Sequence, residues 1–162
     1  MLSAAEVLEL IPQRPPFRYL DELICLEAER VIGTYTFSGR EFFYAGHFPG
    51  QPVTPGVILL EAMCQTGLVA LGIYLLSLEL PVVDISSRIT LFTEANVEFL
   101  RPVLPGERIR FEARREYWRF GKLKAHVRAL AVDDCLVADG VVAGTSMLRT
   151  RIAERSSEMN DG

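Results

Sequence analysis

Apolar positions follow several different periods along this chain, and each change of period marks an element. Ser3 followed three residues later by Glu6 reads as a capping box, opening a short helix over residues 4–10 that Pro12 ends. Phe17 to Leu26 and Arg30 to Phe37 alternate or cluster β-favouring side chains around a polar turn at Glu27 to Glu29, which predicts an antiparallel hairpin. From Ser38 to Gly56 the pattern breaks into text rich in Gly39, Gly46, Pro49, Gly50, Pro52, Pro55 and Gly56, so a structured loop is expected there. Val57 to Leu76 is then apolar nearly all round, the signature of an enclosed helix.

Segments near Arg88 to Phe99, Arg108 to Trp118, Lys122 to Val132 and Leu136 to Leu148 read as strands. Pro105-Gly106, Phe120-Gly121 and Asp133-Asp134 are the turns between them. The order helix, two strands, long helix, four strands predicts an α+β fold in which an antiparallel sheet of about six strands curls around one buried helix. Residues 1–150 form a single domain in this reading, and the polar tail 151–162 is expected to fray.

Composition changes this picture little. A chain of 162 residues with 49% hydrophobic content fills a core, and 23% charged residues with a net charge of −4 suggest neither disorder nor a nucleic-acid-binding surface. Val57 to Leu76 is long enough to span a bilayer, but Glu61, Gln65 and Thr66 are costly in lipid and no Lys or Arg flanks it, so membrane insertion is not expected. Cys25, Cys64 and Cys135 have no CxxC spacing and follow no signal-peptide pattern, which points to a reducing cytoplasm. His47 and His126 stand outside any ligand-spaced cluster, so no metal is expected.

Two residues carry candidate chemistry. Glu61 stands among Val57, Ile58, Leu59, Leu60 and Met63, where lost hydration raises a carboxyl pKa and keeps a proton available near neutrality. His47, in the restricted loop between Gly46 and Phe48, suits a general base. The unpaired N–H groups at Gly56-Val57, which start the helix, suit a carbonyl oxygen gaining charge, and Gly56 leaves room for close approach. On residue chemistry alone a structural reading stays open: a loop histidine is often merely hydrogen-bonded, and Gln65, one turn on from Glu61, can satisfy a buried carboxyl without any reaction.

Gly46-His47-Phe48-Pro49-Gly50, Pro55-Gly56-Val57 and Glu61-Ala62-Met63-Cys64-Gln65 together resemble the FabZ-type 3-hydroxyacyl-[acyl-carrier-protein] dehydratases. Ile11-Pro12-Gln13-Arg14-Pro15-Pro16-Phe17 with Asp21 is similar to the family's opening motif. Phe99-Leu100-Arg101-Pro102-Val103-Leu104-Pro105-Gly106 is similar to its later strand turn, so the resemblance covers residues 5–149. It implies the hotdog fold, no cofactor, and a homodimer whose active sites are shared between subunits, with dimers assembling further into a hexamer. It also implies roles: His47 as the base at C2, Glu61 as the acid at the 3-hydroxyl, the Gly56 and Val57 turn as the thioester-carbonyl site, Gln65 orienting Glu61, and Phe48 beside the substrate. The implied partner is acyl carrier protein bearing the acyl chain.

The chain departs from the family at Gln13, where histidine is common, at Thr54, where methionine is frequent, and at Glu94-Ala95-Asn96. Residues 101–128 hold nine basic residues against three acidic ones, a stripe that suits either an acidic carrier protein or an ordinary solvated face. Two other functions fit the fold class: an acyl thioesterase acting through a carboxylate and water, and a non-catalytic acyl-binding subunit.

Overall fold

A computed structural model describes residues 1–150, so the expected polar tail at 151–162 lies outside the described residues. The capping box forms as the sequence predicts: the Ser3 hydroxyl accepts from the Glu6 amide and the Glu6 carboxylate accepts from the Ser3 amide, opening α1 (Ala4–Leu10). Six strands follow: β1 (Glu22–Leu26), β2 (Arg30–Thr36), β3 (Arg88–Phe99), β4 (Arg108–Arg119), β5 (Lys122–Leu130) and β6 (Leu136–Leu148). They make one antiparallel sheet in the order β1-β2-β4-β5-β6-β3. The sheet wraps helix α2 (Gly56–Ser77), whose most apolar stretch is 78% buried inside the protein. This is the expected α+β hotdog arrangement.

Strand alternation explains which face holds the helix. Ile109, Phe111 and Ala113 of β4 and Leu123, Ala125, Val127 and Ala129 of β5 point inward and are buried, while their neighbours point out. Small residues bring the layers close. A β-carbon on Gly67 would stand 2.7 Å from Val127 and 3.1 Å from Ala113, so only glycine lets the helix backbone rest on β4 and β5. Around it, Gln65–Ala70 adopts one turn of wider π-helix within α2, a feature the apolar pattern does not announce.

Two details depart from the sequence expectations. The first hairpin strand begins at Glu22 rather than Phe17, because the backbone at Phe17 and Tyr19 bonds the Gln65 side chain instead of a neighbouring strand. A short helix α3 (Val82–Ser86) follows Pro81 before β3. Phe120 and Gly121 both take positive φ, so the β4–β5 connection is the two-residue hairpin turn that matches strand twist.

Gly67→Val should therefore be strongly destabilising. Urea unfolding is expected to show a loss of about 1–3 kcal/mol from overpacking against β4 and β5. Wild-type stability would contradict the close approach.

Candidate active site

His47 is held by its own loop. Its amide donates to the Phe43 carbonyl at 3.0 Å, and its carbonyl accepts from the Val53 amide at 3.0 Å. Its ring Nδ1 lies 2.9 Å from the Val53 carbonyl oxygen, which can only accept, so Nδ1 carries the hydrogen and Nε2 presents a lone pair. The Phe48 ring stacks on the imidazole at 4.1 Å and is otherwise exposed. This loop is anchored on both sides. The Glu41 carboxylate accepts from the Ser38 and Gly39 amides at 2.8 Å each and from the Tyr35 hydroxyl at 3.2 Å, and the Tyr44 and Thr54 hydroxyls meet at 2.5 Å. Burial by itself would raise the Glu41 carboxyl, but the backbone donors outweigh it and hold its pKa below the usual value.

Glu61 lies in the second turn of α2, half-buried. Burial pushes its pKa up, and the amides of Gln65 and Gln13 offset part of that by donating to Oε1 at 2.9 Å and 3.5 Å. Gln65 is wholly buried and uses its whole amide: Oε1 accepts from the Tyr19 N–H at 2.7 Å, and Nε2 also donates to the Phe17 carbonyl at 2.8 Å. At the head of α2, Ile58 and Leu59 donate back to the Pro55 carbonyl, leaving the Gly56 and Val57 amides without an acceptor among the described residues. A β-carbon on Gly56 would fill the gap to the Phe99 ring at 3.6 Å, so glycine keeps that gap open. The Val57 side chain is 73% exposed.

Glu61, Gln65, Gly56 and Val57 thus share one helix, and Gln13 joins them from the segment after α1. Sequence reasoning noted Gln13 only as a departure, and no local signal shows its approach to a residue 48 positions away. His47 does not join them: among the described residues no hydrogen bond links it to Glu61. The basic stripe is also altered by folding. Arg101, Arg108, Arg110, Arg115, Lys124 and Arg128 pair with Glu107, Glu22, Glu112 and Asp134, Glu29, Glu94 and Asp139 respectively. The stripe is mostly a neutralised strand surface. Only Arg114, Arg119 and Lys122 of the nine lack a carboxylate partner among the described residues.

A FabA-like domain family model matches residues 11–143. The 3-hydroxyacyl-[acyl-carrier-protein] dehydratase FabZ of Chloroflexus aggregans is 39% identical over 135 residues, 82% of this chain and 88% of that protein. The protein of the same name in Roseiflexus castenholzii is 36% identical over 142 residues, covering 86% and 93%. Among solved structures, the dehydratase heterocomplex ApeI:P from Xenorhabdus doucetiae superposes with a TM-score of 0.73 at 11% identity, covering 95% of this chain and 97% of that one. A thioesterase from Haemophilus influenzae gives 0.65 at 15% identity, covering 91% and 92%. At such identities these two share the fold.

The raised Glu61 pKa has a consequence for stability. The folded protein holds the proton to higher pH than the unfolded chain, so the contribution of Glu61 falls as pH rises above the ordinary value of 4.5. Glu61→Gln lacks that loss. Its stability relative to wild type, measured by urea unfolding across pH, is expected to improve as pH rises; a pH-independent difference would contradict the burial effect.

Proposed function

The chain belongs to the FabA-like family, and from that premise we propose that it dehydrates (3R)-3-hydroxyacyl thioesters on acyl carrier protein to trans-2-enoyl thioesters in fatty acid or a related acyl biosynthesis. The observation that carries the catalytic assignment is the half-buried Glu61, its pKa raised by burial, on the helix whose first amides stand open. The thioester oxygen sits at the Gly56 and Val57 amides, which stabilise negative charge there. Nε2 of His47 takes the C2 proton, and the electron pair moves onto the thioester oxygen. As that pair returns to form the C2–C3 double bond, Glu61 protonates the departing 3-hydroxyl, which leaves as water. Solvent then removes the proton from His47 and restores the one on Glu61. No cofactor enters these steps.

A hydrolytic reading is less well supported, because a fixed imidazole with a free Nε2 serves proton abstraction and a thioesterase acting through a carboxylate and water has no use for it. His47 and Glu61 meet, in this proposal, across a homodimer. Strand β3 forms a bare sheet edge of 12 residues with Leu91, Phe92 and Phe99 exposed, and such an edge is a template for pairing with a second copy. Trimerisation of that dimer into a hexamer is the further assembly the family implies. Three unpaired thiols suit the cytoplasm, where the carrier would deliver its chain.

Mass spectrometry of a carrier-bound 3-hydroxyacyl thioester should show loss of water with wild type. His47→Ala and Glu61→Gln are each expected to lower kcat by about 10²–10⁴-fold. Undiminished turnover in either variant would remove that residue from the mechanism. Phe92→Asp on the β3 edge is expected to give an inactive monomer by light scattering, whereas an active monomer would defeat the shared site.

A further inference from the structure

Glu61 has two amide neighbours, and only one has a determined orientation. Exchanging the oxygen and nitrogen of Gln65 would set oxygen against the Phe17 carbonyl and the Glu61 carboxylate, and nitrogen against the Tyr19 N–H. All three bonds would be lost, so Gln65 can only donate to Glu61. Gln13 carries no such constraint. Its Nε2 lies 3.5 Å from Glu61 Oε1, while its own Oε1 is buried with no hydrogen-bond partner among the described residues. A half-turn of this amide exchanges its two ends and breaks no other bond of the side chain among the described residues.

A general acid passes through two states with opposite demands. The carboxylate only accepts, whereas the protonated carboxyl must also donate through its O–H. With Gln65 fixed as a donor, the stranded Gln13 oxygen is the acceptor that the O–H needs, and a buried polar oxygen left unpaired is costly. We propose that Gln13 is a positioning residue whose amide reverses with the charge of Glu61, donating to the carboxylate and accepting from the protonated acid. The acid thereby keeps one geometry through the catalytic cycle. This inference rests on the reading of Glu61 as the general acid.

Histidine, common at this position in the family that the chain resembles, also offers a donor and an acceptor while neutral, but it loses the acceptor on protonation. Glutamine keeps both at every pH. Two titratable groups are shifted upward by burial and by the charge of Glu61, Tyr19 in the segment before β1 and Cys64 on α2. Burial pushes both upward, Cys64 to about 12, so neither changes charge near neutrality.

The test is kcat, KM and pH profile for wild type, Gln13→Leu and Gln13→His, with Glu61→Gln alongside and folding checked by near-ultraviolet circular dichroism. Gln13→Leu is expected to lose about tenfold in kcat with KM little changed, the signature of an interaction lost from the chemical step. Gln13→His should approach wild-type rates above the imidazole range and fall more steeply than wild type on the acid side, as the introduced imidazole loses its acceptor. An acid limb in Gln13→His no steeper than that of wild type overturns the inference whatever Gln13→Leu shows, and it decides alone if Gln13→Leu does not fold. A wild-type kcat in folded Gln13→Leu overturns it as well. In both cases an inactive Glu61→Gln leaves the acid assignment standing, whereas a fully active Glu61→Gln removes the acid and this inference together.

Discussion

One buried amide holds the two halves of this site's framework together. Gln65 has no exposure to solvent, and its three hydrogen bonds join α2 to the backbone at Phe17 and Tyr19 and to the Glu61 carboxyl. A buried amide with every bond made is rigid, because any rotation strands polar atoms away from water. The same bonds settle the local chain path. Phe17 and Tyr19 spend their backbone groups on a side chain, so β1 starts only at Glu22, and Tyr19 packs edge-on against Phe17 and Tyr35. The carboxyl is thereby kept among apolar neighbours with its pKa raised and its direction fixed. The Gln13 amide completes its surroundings.

The His47 loop obeys a different constraint. Prolines restrict its backbone, the Glu41 and Tyr44 contacts anchor it, and the Val53 carbonyl fixes the hydrogen on Nδ1, so Nε2 keeps its lone pair. Among the described residues no carboxylate is hydrogen-bonded to that nitrogen. The proposed base and the proposed acid stand on separate elements, and β3 ends the sheet with Leu91, Phe92 and Phe99 exposed, which is the arrangement that the proposed site completed by a second copy calls for.

Charge plays a smaller part than its distribution along the chain suggests. Arginines spaced two apart on β4 face carboxylates delivered by neighbouring strands and turns: Arg108 meets Glu22 of β1, and Arg110 meets Asp134 of the β5–β6 turn. Exposed pairs of this kind contribute little stability, but they cancel the field that a run of basic residues would otherwise project.

The sequence by itself determined the elements and the candidate chemistry. Periodicity marked the enclosed helix and all six strands, the Ser3–Glu6 spacing marked the first cap, and the motifs around His47 and Glu61 singled out both residues, because these signals are local and repeat within a turn or a strand. Only the tertiary structure decided who stands beside whom. The capture of Phe17 and Tyr19 by Gln65, the approach of Gln13 to Glu61 and the pairing of Arg108 with Glu22 join residues far apart in the chain. No local pattern encodes such meetings. They follow from the sheet closing on the helix, which brings distant polar groups together where water is excluded and each must find a partner.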